Sequence, residues 1–409
     1  MQNADYDAII VGAGPAGATA TLYARRSGLR VLLLDRSDFP RDKTCGDALS
    51  GKTVDVLKDL GLIDQVRLLP GAPISRIIFG SPDGSELVIN LNTSELNQIP
   101  EGFVIRREVF DRFMFDQAIE AAADVKTGFS VTDLVIEDGF VRGVKGRQAG
   151  SPDVQTHRAP IVLGADGFNS IVARKTGLYS HDPSHMVVAL RQYFQDVGGL
   201  TDQIELHFID EVIPGYFWIF PLEDGKANVG IGMLHKAIKK QGTDLKQALA
   251  NAIASPRFRD RFKDARPLED PVGWNLPVGS KHYPAVGDGF MLLGDAAGLI
   301  DPFTGEGIGN ALYSARYAIE TAAAALQADD FSAGFLARYD KALWKAIGPE
   351  LRISSQLQKI GRWRWLLNFV IARAARKKRL GNLIAGMIAN EVPRDQLANP
   401  LFYLRLLFS

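Results

Sequence analysis

Gly294-Asp295-Ala296-Ala297-Gly298-Leu299-Ile300-Asp301-Pro302-Phe303-Thr304-Gly305-Glu306-Gly307-Ile308-Gly309-Asn310 lies far along the chain from a second glycine cluster, Gly12-Ala13-Gly14-Pro15-Ala16-Gly17, and the two read together as one dinucleotide site. The first cluster follows the apolar run from Tyr6 to Val11 and precedes a helix-forming stretch from Pro15 to Ser27. That is the strand–turn–helix context a dinucleotide fingerprint requires. Its glycines permit a tight turn and let the backbone approach a pyrophosphate at a helix N-terminus. Asp35, with Arg36 beside it, closes the next apolar run, Val31 to Leu34. The spacing of roughly 20 residues puts that carboxylate where it takes a ribose hydroxyl.

The fingerprint alone serves NAD enzymes equally, and the distant stretch decides for FAD. Phe290 to Leu293 reads as a buried strand, and Asp295 beyond its end is placed to accept from a sugar or ribityl hydroxyl. Gly305, Gly307 and Gly309 let backbone N–H groups face the pyrimidine edge of a flavin as a helix, Ile308 to Leu326, begins. A helix N-terminus there favours the negative charge of reduced flavin.

With 409 residues and 46% apolar content the chain can bury one large core or two interleaved domains. Its 47 basic and 47 acidic residues balance, so no nucleic-acid footprint exists. A lone cysteine, Cys45, excludes an internal disulfide framework, and no metal-ligating cluster stands out. The first strand begins too early for a signal peptide, and no apolar run approaches the roughly 18 residues of a membrane span. The expected location is cytoplasmic, with any membrane contact peripheral at the inner face.

Pro40 to Ser50 reads as a loop and Val54 to Leu60 as a short helix. Asp83-Gly84, Asp138-Gly139 and Asp224-Gly225 each sit between strand-like runs, the signal of hairpins in an antiparallel sheet. The helix Glu108 to Ala123, with Phe110, Phe113 and Met114 on one face, and the strand Ile161 to Ala165 return to the nucleotide domain. The fold class is therefore α/β. A Rossmann-like FAD-binding domain (1–70, 101–176, 283–345) interleaves with an antiparallel-sheet substrate domain (71–100, 177–282), and a helical C-terminal region covers 346–409.

Gly12-x-Gly14-x-x-Gly17, Arg107-x-x-Phe110-Asp111, Ala165-Asp166-Gly167-x-x-Ser170 and Gly294-Asp295, in this order, resemble the flavoprotein superfamily of aromatic hydroxylases, halogenases and isoprenoid reductases. Within it, Pro40-x-x-Lys43-x-Cys45-Gly46-Asp47 and Tyr216-x-Trp218-x-Phe220-Pro221 look like the two signatures of geranylgeranyl reductases. The resemblance runs over nearly the whole chain and is weakest after about residue 345. It implies FAD contacts at Ala16, Asp35, Cys45, Gly46, Arg107, Asp295, Gly307 and Ile308, with Val131 carried by its place in the strand after the Arg107 helix. It also implies that Asp166 braces the flavin domain.

In a strand, alternate side chains share a face, so Tyr216, Trp218 and Phe220 point together. Such a face either packs on a core or, with Pro221 closing it, walls a cavity for an apolar ligand, the Tyr hydroxyl and Trp N–H serving as polar handles. From Leu351 to Asn390 there are nine basic residues and no acidic one. Apolar Trp363, Leu366, Leu367, Val370 and Ile371, then Leu380, Leu383, Ile384, Met387 and Ile388, fall at helical spacing. Basic amphipathic helices of this kind either cap the substrate sheet or meet an anionic lipid surface.

By that resemblance the chain is an FAD-dependent reductase that saturates C=C bonds of a prenyl lipid, with NADPH or a reduced redox protein as electron donor. Water, Tyr216 and Cys45 are the open choices for the proton source. The alternative is a flavin monooxygenase or halogenase acting on an apolar or aromatic compound with NAD(P)H and oxygen.

Overall fold

The computed structural model describes residues 5–91, 102–179 and 182–376. Its nucleotide half is a six-stranded sheet in the order Val286–Gly287, Phe290–Leu292, Ile161–Gly164, Ala8–Val11, Val31–Leu34, Asp124–Lys126. All neighbours are parallel except the first two. The short all-apolar runs Ala-Ile-Ile-Val and Val-Leu-Leu-Leu are those of strands buried on both faces. Helices Pro15–Arg26, Ile308–Ala328 and Arg107–Ala121 cover the sheet. Pro15 opens the first of them, where its fixed φ and missing N–H suit a helix start.

The Asp138-Gly139 turn has positive φ at both residues, 51° and 82°, the mirror-image turn that matches strand twist. Its hairpin, Phe129–Glu137 with Phe140–Gln148, joins Val154–Arg158 in a separate three-stranded sheet packed on the nucleotide half. The other two hairpins enter the large sheet, ordered Arg266–Pro267, Met186–Gln195, Lys226–Leu234, Tyr216–Pro221, Gln203–His207, Arg76–Gly80, Glu86–Asn90. Val272–Pro277 also pairs with Met186–Gln195. This sheet is not antiparallel throughout, because Gln203–His207 runs parallel to Arg76–Gly80. The chain leaves through the nucleotide half between those two strands, and so long a crossover permits the parallel pairing that a hairpin forbids.

The expected loop Pro40–Ser50 contains a short strand, Ala48–Leu49, which pairs with Gly102–Val104 at the junction of the halves. Helix Ala333–Ile360 runs on through position 345, and Arg364–Arg376 lies over the Glu86–Asn90 strand. Lys377, Lys378, Arg379 and the apolar set from Leu380 to Ile388 fall outside the described residues. Among those described, no helix is long and apolar enough to cross a membrane, and no cluster of His, Cys, Asp and Glu could hold a metal.

Candidate active site

A cavity of about 1490 Å³ lies between the ends of the parallel strands and one face of the large sheet. That exceeds the roughly 300–1,000 Å³ typical of a site for one drug-sized ligand, leaving room for a cofactor and a second molecule. Its nucleotide end is lined by Gly12, Gly14, Pro15, Ala16, Asp35 and Arg36. Gly17 is not in the wall: a Cβ there would lie 1.8 Å from the Gly12 carbonyl oxygen, so its work is close packing of helix on strand. Gly12 has φ +99°, and a Cβ on it would meet Ala165 O at 2.4 Å. Gly14 differs, since a Cβ would meet only the flexible end of Arg41, at 3.4 Å, and would otherwise project into the cavity.

Asp35 holds the turn, accepting from Ala13 N at 2.7 Å and Ser37 N at 2.8 Å. A carboxylate has about four acceptor sites, so two remain for a ribose. Arg107 is buried and grips Asp111 through two bonds of 2.6 and 2.7 Å, one helical turn on. Asp111 also takes Arg41, at 3.2 Å. Neither Asp111 nor Arg41 was assigned a role from sequence, although the i,i+4 spacing of Arg107 and Asp111 is a readable signal. Val131, half-buried near the start of its strand, lines the same end. Asp166 braces the helix after it, its Oδ2 accepting from Ile171 N at 2.6 Å.

At the far end, Asp295, Gly305, Gly307 and Ile308 line the wall where helix Ile308–Ala328 begins. Gly309 does not offer its N–H to the cavity as expected. It donates to Glu306 Oε1 at 2.6 Å, and its missing Cβ admits Lys52 and Ser50 of the neighbouring helix. The open cradle at Gly14, the two helix N-termini and the Asp35 carboxylate fit the pyrophosphate, ribose and flavin of FAD. Bound there, FAD supplies reversible hydride transfer.

The loop from Arg41 to Asp47 enters between the halves. Lys43 is sunk beside Asp295, Arg107 and Cys45, its Nζ 4.7 Å from the Trp274 ring centre; burial pushes its ammonium down from the usual lysine range. Cys45 is half-buried in the wall, near the Arg107 guanidinium. Gly46 meets the edge of Phe220, its ideal Cβ 3.2 Å from that ring.

Asp47 is fully buried with φ 65°. Its carboxylate accepts from Tyr193 Oη and Asn228 Nδ2, both at 2.7 Å, and from Arg107 N at 3.3 Å. Burial pushes its carboxyl up to about 6, with the Tyr193 and Asn228 hydrogen bonds opposing. Sequence reasoning quoted Asp47 within a motif and gave it no role.

The large sheet presents three aligned rungs to the cavity: Tyr216–Gly232–Ala189, Trp218–Gly230–Arg191 and Phe220–Asn228–Tyr193. The Trp218 ring lies across Gly230, where a Cβ would approach it to 2.1 Å. Phe217 and Ile219 point the other way, into a second core. The expected polar handles are both used internally. Trp218 Nε1 donates to Asn228 Oδ1 at 2.8 Å, and Tyr216 Oη donates to Thr304 O at 2.5 Å, with burial pushing that hydroxyl well above its ordinary range. Pro221 ends the strand outside the cavity wall. Arg191, invisible to sequence reasoning, is fully buried on this face and paired with Asp42 and Glu269.

Beyond the aromatic rungs the cavity becomes apolar, between Ile77, Leu87 and Leu206 of the sheet and Leu367, Val370 and Ile371 of helix Arg364–Arg376. Trp363 leaves that apolar face: it is 54% exposed, and Trp365 is 64% exposed.

The protein family described as FAD binding domain matches residues 5–342. Digeranylgeranylglycerophospholipid reductase 2 of Methanopyrus kandleri is 33% identical over 363 residues, covering 87% of this chain and 86% of that protein. The digeranylgeranylglycerophospholipid reductase of Methanoculleus marisnigri is 34% identical over 350 residues, covering 85% and 83%. The chain belongs to this family of FAD-dependent reductases. A crystal structure of a geranylgeranyl bacteriochlorophyll reductase-like protein from Thermoplasma acidophilum superposes with a TM-score of 0.82 at 27% identity, covering 91% and 92% of the two chains. A flavin-dependent brominase also superposes, with a TM-score of 0.79 at 21% identity over 98% of this chain, a likeness of fold alone. This family member is thus an FAD-dependent oxidoreductase of the geranylgeranyl reductase type.

Proposed function

We propose that this flavoenzyme saturates carbon–carbon double bonds of an isoprenoid chain carried by a lipid. The observation that carries the reading is the continuity of one cavity from the glycine cradle, past Cys45 and the aromatic rungs, into the apolar arm beneath helix Arg364–Arg376. In this reading Gly12, Gly14, Pro15, Ala16, Asp35, Arg36 and Arg107 hold the dinucleotide. Val131 lines the dinucleotide end with them; Cys45, Gly46, Asp295, Gly305, Gly307 and Ile308 surround the flavin, and Tyr216, Trp218 and Phe220 wall the prenyl chain. An unactivated alkene has no carbonyl to hold developing charge, so positioning and exclusion of water carry the catalysis. The apolar arm supplies both. NADPH or a reduced redox protein recharges the flavin.

The test is anaerobic. Protein reduced with dithionite and mixed with a geranylgeranyl lipid is expected to regain the oxidised-flavin spectrum and yield a product heavier by two hydrogens per bond. Product formation only on admitting oxygen points instead to a monooxygenase and overturns the proposal.

The reductase further meets its substrate at an anionic membrane face, on the cytoplasmic side. Exposed Trp363 and Trp365 sit among Lys359, Arg362 and Arg364 at the turn between the two C-terminal helices that roof the apolar arm. Aromatic and basic side chains together suit a charged lipid interface. Sedimentation with vesicles rich in anionic lipid is expected to exceed that with zwitterionic vesicles and to fall with salt and in the Trp363→Ala, Trp365→Ala double variant. Equal sedimentation in all cases removes the membrane face.

A further inference from the structure

Glu306 lies in the cavity wall between Gly305 and Gly307. Its Oε1 accepts from Ser50 Oγ at 2.9 Å and Gly309 N at 2.6 Å, whereas its Oε2 is shut off from solvent and has no hydrogen-bond partner among the described residues. Buried polar atoms left this way are few in native structures, and each calls for an explanation.

A polar arm of the cavity leads outward from it. Lys52 of helix Gly51–Asp59 pairs with Glu350 of helix Ala333–Ile360 at 2.5 Å, their side chains 11% and 16% exposed. Lys52 Nζ also donates to Asn310 Oδ1 at 2.9 Å. Asp55 and Tyr313 line the same arm. On the other side of the loop, the Tyr216 hydroxyl lies 3.0 Å from the ideal Cβ position of Gly305. One residue therefore separates the polar arm from the aromatic wall.

We propose that Glu306 is the acid that supplies the proton of the reduction, with the Lys52–Glu350 pair as its point of exchange with solvent. The proposal rests on the reductase reading above. Saturating a C=C bond takes a hydride and a proton. The hydride, with two electrons, comes from reduced FAD and forms one C–H bond. The Glu306 O–H bond breaks and its proton forms the other. The carboxylate left behind takes a proton from water at the Lys52–Glu350 mouth, and NADPH or a reduced redox protein restores the flavin.

The charge around Glu306 suits that task. Lys52 and Asp55 face this arm from one helix, Glu350 from a second and Tyr313 from a third, while Asp295 lies behind Gly307. Lys52 is the single cation among them. Burial pushes the Glu306 carboxyl above its ordinary range, Glu350 adds to the rise and Lys52 opposes it. The acid is present below that raised value and lost as pH climbs through it, so turnover falls on the alkaline side.

Glu306→Gln keeps an oxygen for Ser50 and Gly309 but carries no acidic proton. FAD content and melting temperature are expected to stay unchanged, and flavin reduction by the donor likewise. Prenyl turnover is expected to fall roughly 100- to 10,000-fold, the range for loss of a general acid, and to lose its alkaline limb. Independently of activity, infrared titration of FAD-free protein is expected to show in the wild type a protonated-carboxyl band that persists above the usual carboxylate range and that the variant lacks. Turnover within twofold of wild type with the same pH profile overturns the proposal, as does an unchanged carboxyl band. The band also decides the matter if the variant loses FAD. A wild type inert toward prenyl lipids would instead refute the reductase reading, and the band would still report the state of Glu306.

Discussion

Gly14→Val yields a folded protein that carries no FAD. Gly14 has φ −68° and ψ −172°, a backbone conformation open to any residue, and the protein atom a new Cβ would meet is the end of the Arg41 side chain, at an ordinary contact distance of 3.4 Å. A valine there leaves strand, turn and helix in place and fills the cradle facing the pyrophosphate. The neighbouring glycines behave differently. At Gly17 even an alanine methyl would sit 1.8 Å from a backbone carbonyl oxygen, so helix and strand must part, a strain beyond the typical 1–3 kcal/mol of overpacking. Flavin released by acid, measured per protein alongside a melting curve, separates the two. Gly14→Val should match the wild-type melt of FAD-free protein and release no flavin; Gly17→Ala should melt early. A full equivalent of flavin in the Gly14 variant would remove the cradle assignment.

Trp218→Ala costs both stability and turnover. The indole is 6% exposed, covers Gly230 and satisfies Asn228, which in turn holds Asp47 and the Cys45 carbonyl. Truncating a packed aromatic of this size costs about 3–5 kcal/mol. The same change opens the cavity wall and frees Asn228, so prenyl turnover is expected to drop more than tenfold in protein that still holds FAD. Trp218→Phe keeps most of the packing and leaves one Asn228 oxygen unpaired, for about 1–3 kcal/mol. Its turnover should lie between the other two. A Trp218→Ala protein with wild-type melting and turnover would show that the ring neither packs nor walls the cavity. The choice between core packing and cavity wall does not arise for this residue, because one face of the indole covers the sheet and the ring also lines the cavity.

Legibility followed distance along the chain. The turn Gly12–Gly17, Asp35 at the end of its strand, the mirror-image turn at Asp138-Gly139 and the shared face of Tyr216, Trp218 and Phe220 depend on neighbours within a few residues or on strand periodicity, and sequence spacing encodes both. Even Arg107 with Asp111 is a local i,i+4 pair. The partner of a buried polar group is another matter. Asp47 meets Asn228 across 181 residues and Tyr193 across 146; Ser50 meets Glu306 across 256.

No periodicity announces such pairs. A carboxylate or guanidinium reads alike whether water or a distant helix will surround it. Arg191 is a lone cation in a strand until Asp42 and Glu269 close over it, and the Trp218 N–H is free for a ligand until Asn228 takes it. The sequence by itself determined a dinucleotide turn, a flavin loop and an aromatic strand, because each is written in contiguous spacing. Only the tertiary structure decided which polar atoms are spent on one another and which, like Glu306 Oε2, are left buried without a partner among the described residues, because burial and pairing belong to segments that meet only once the chain has folded.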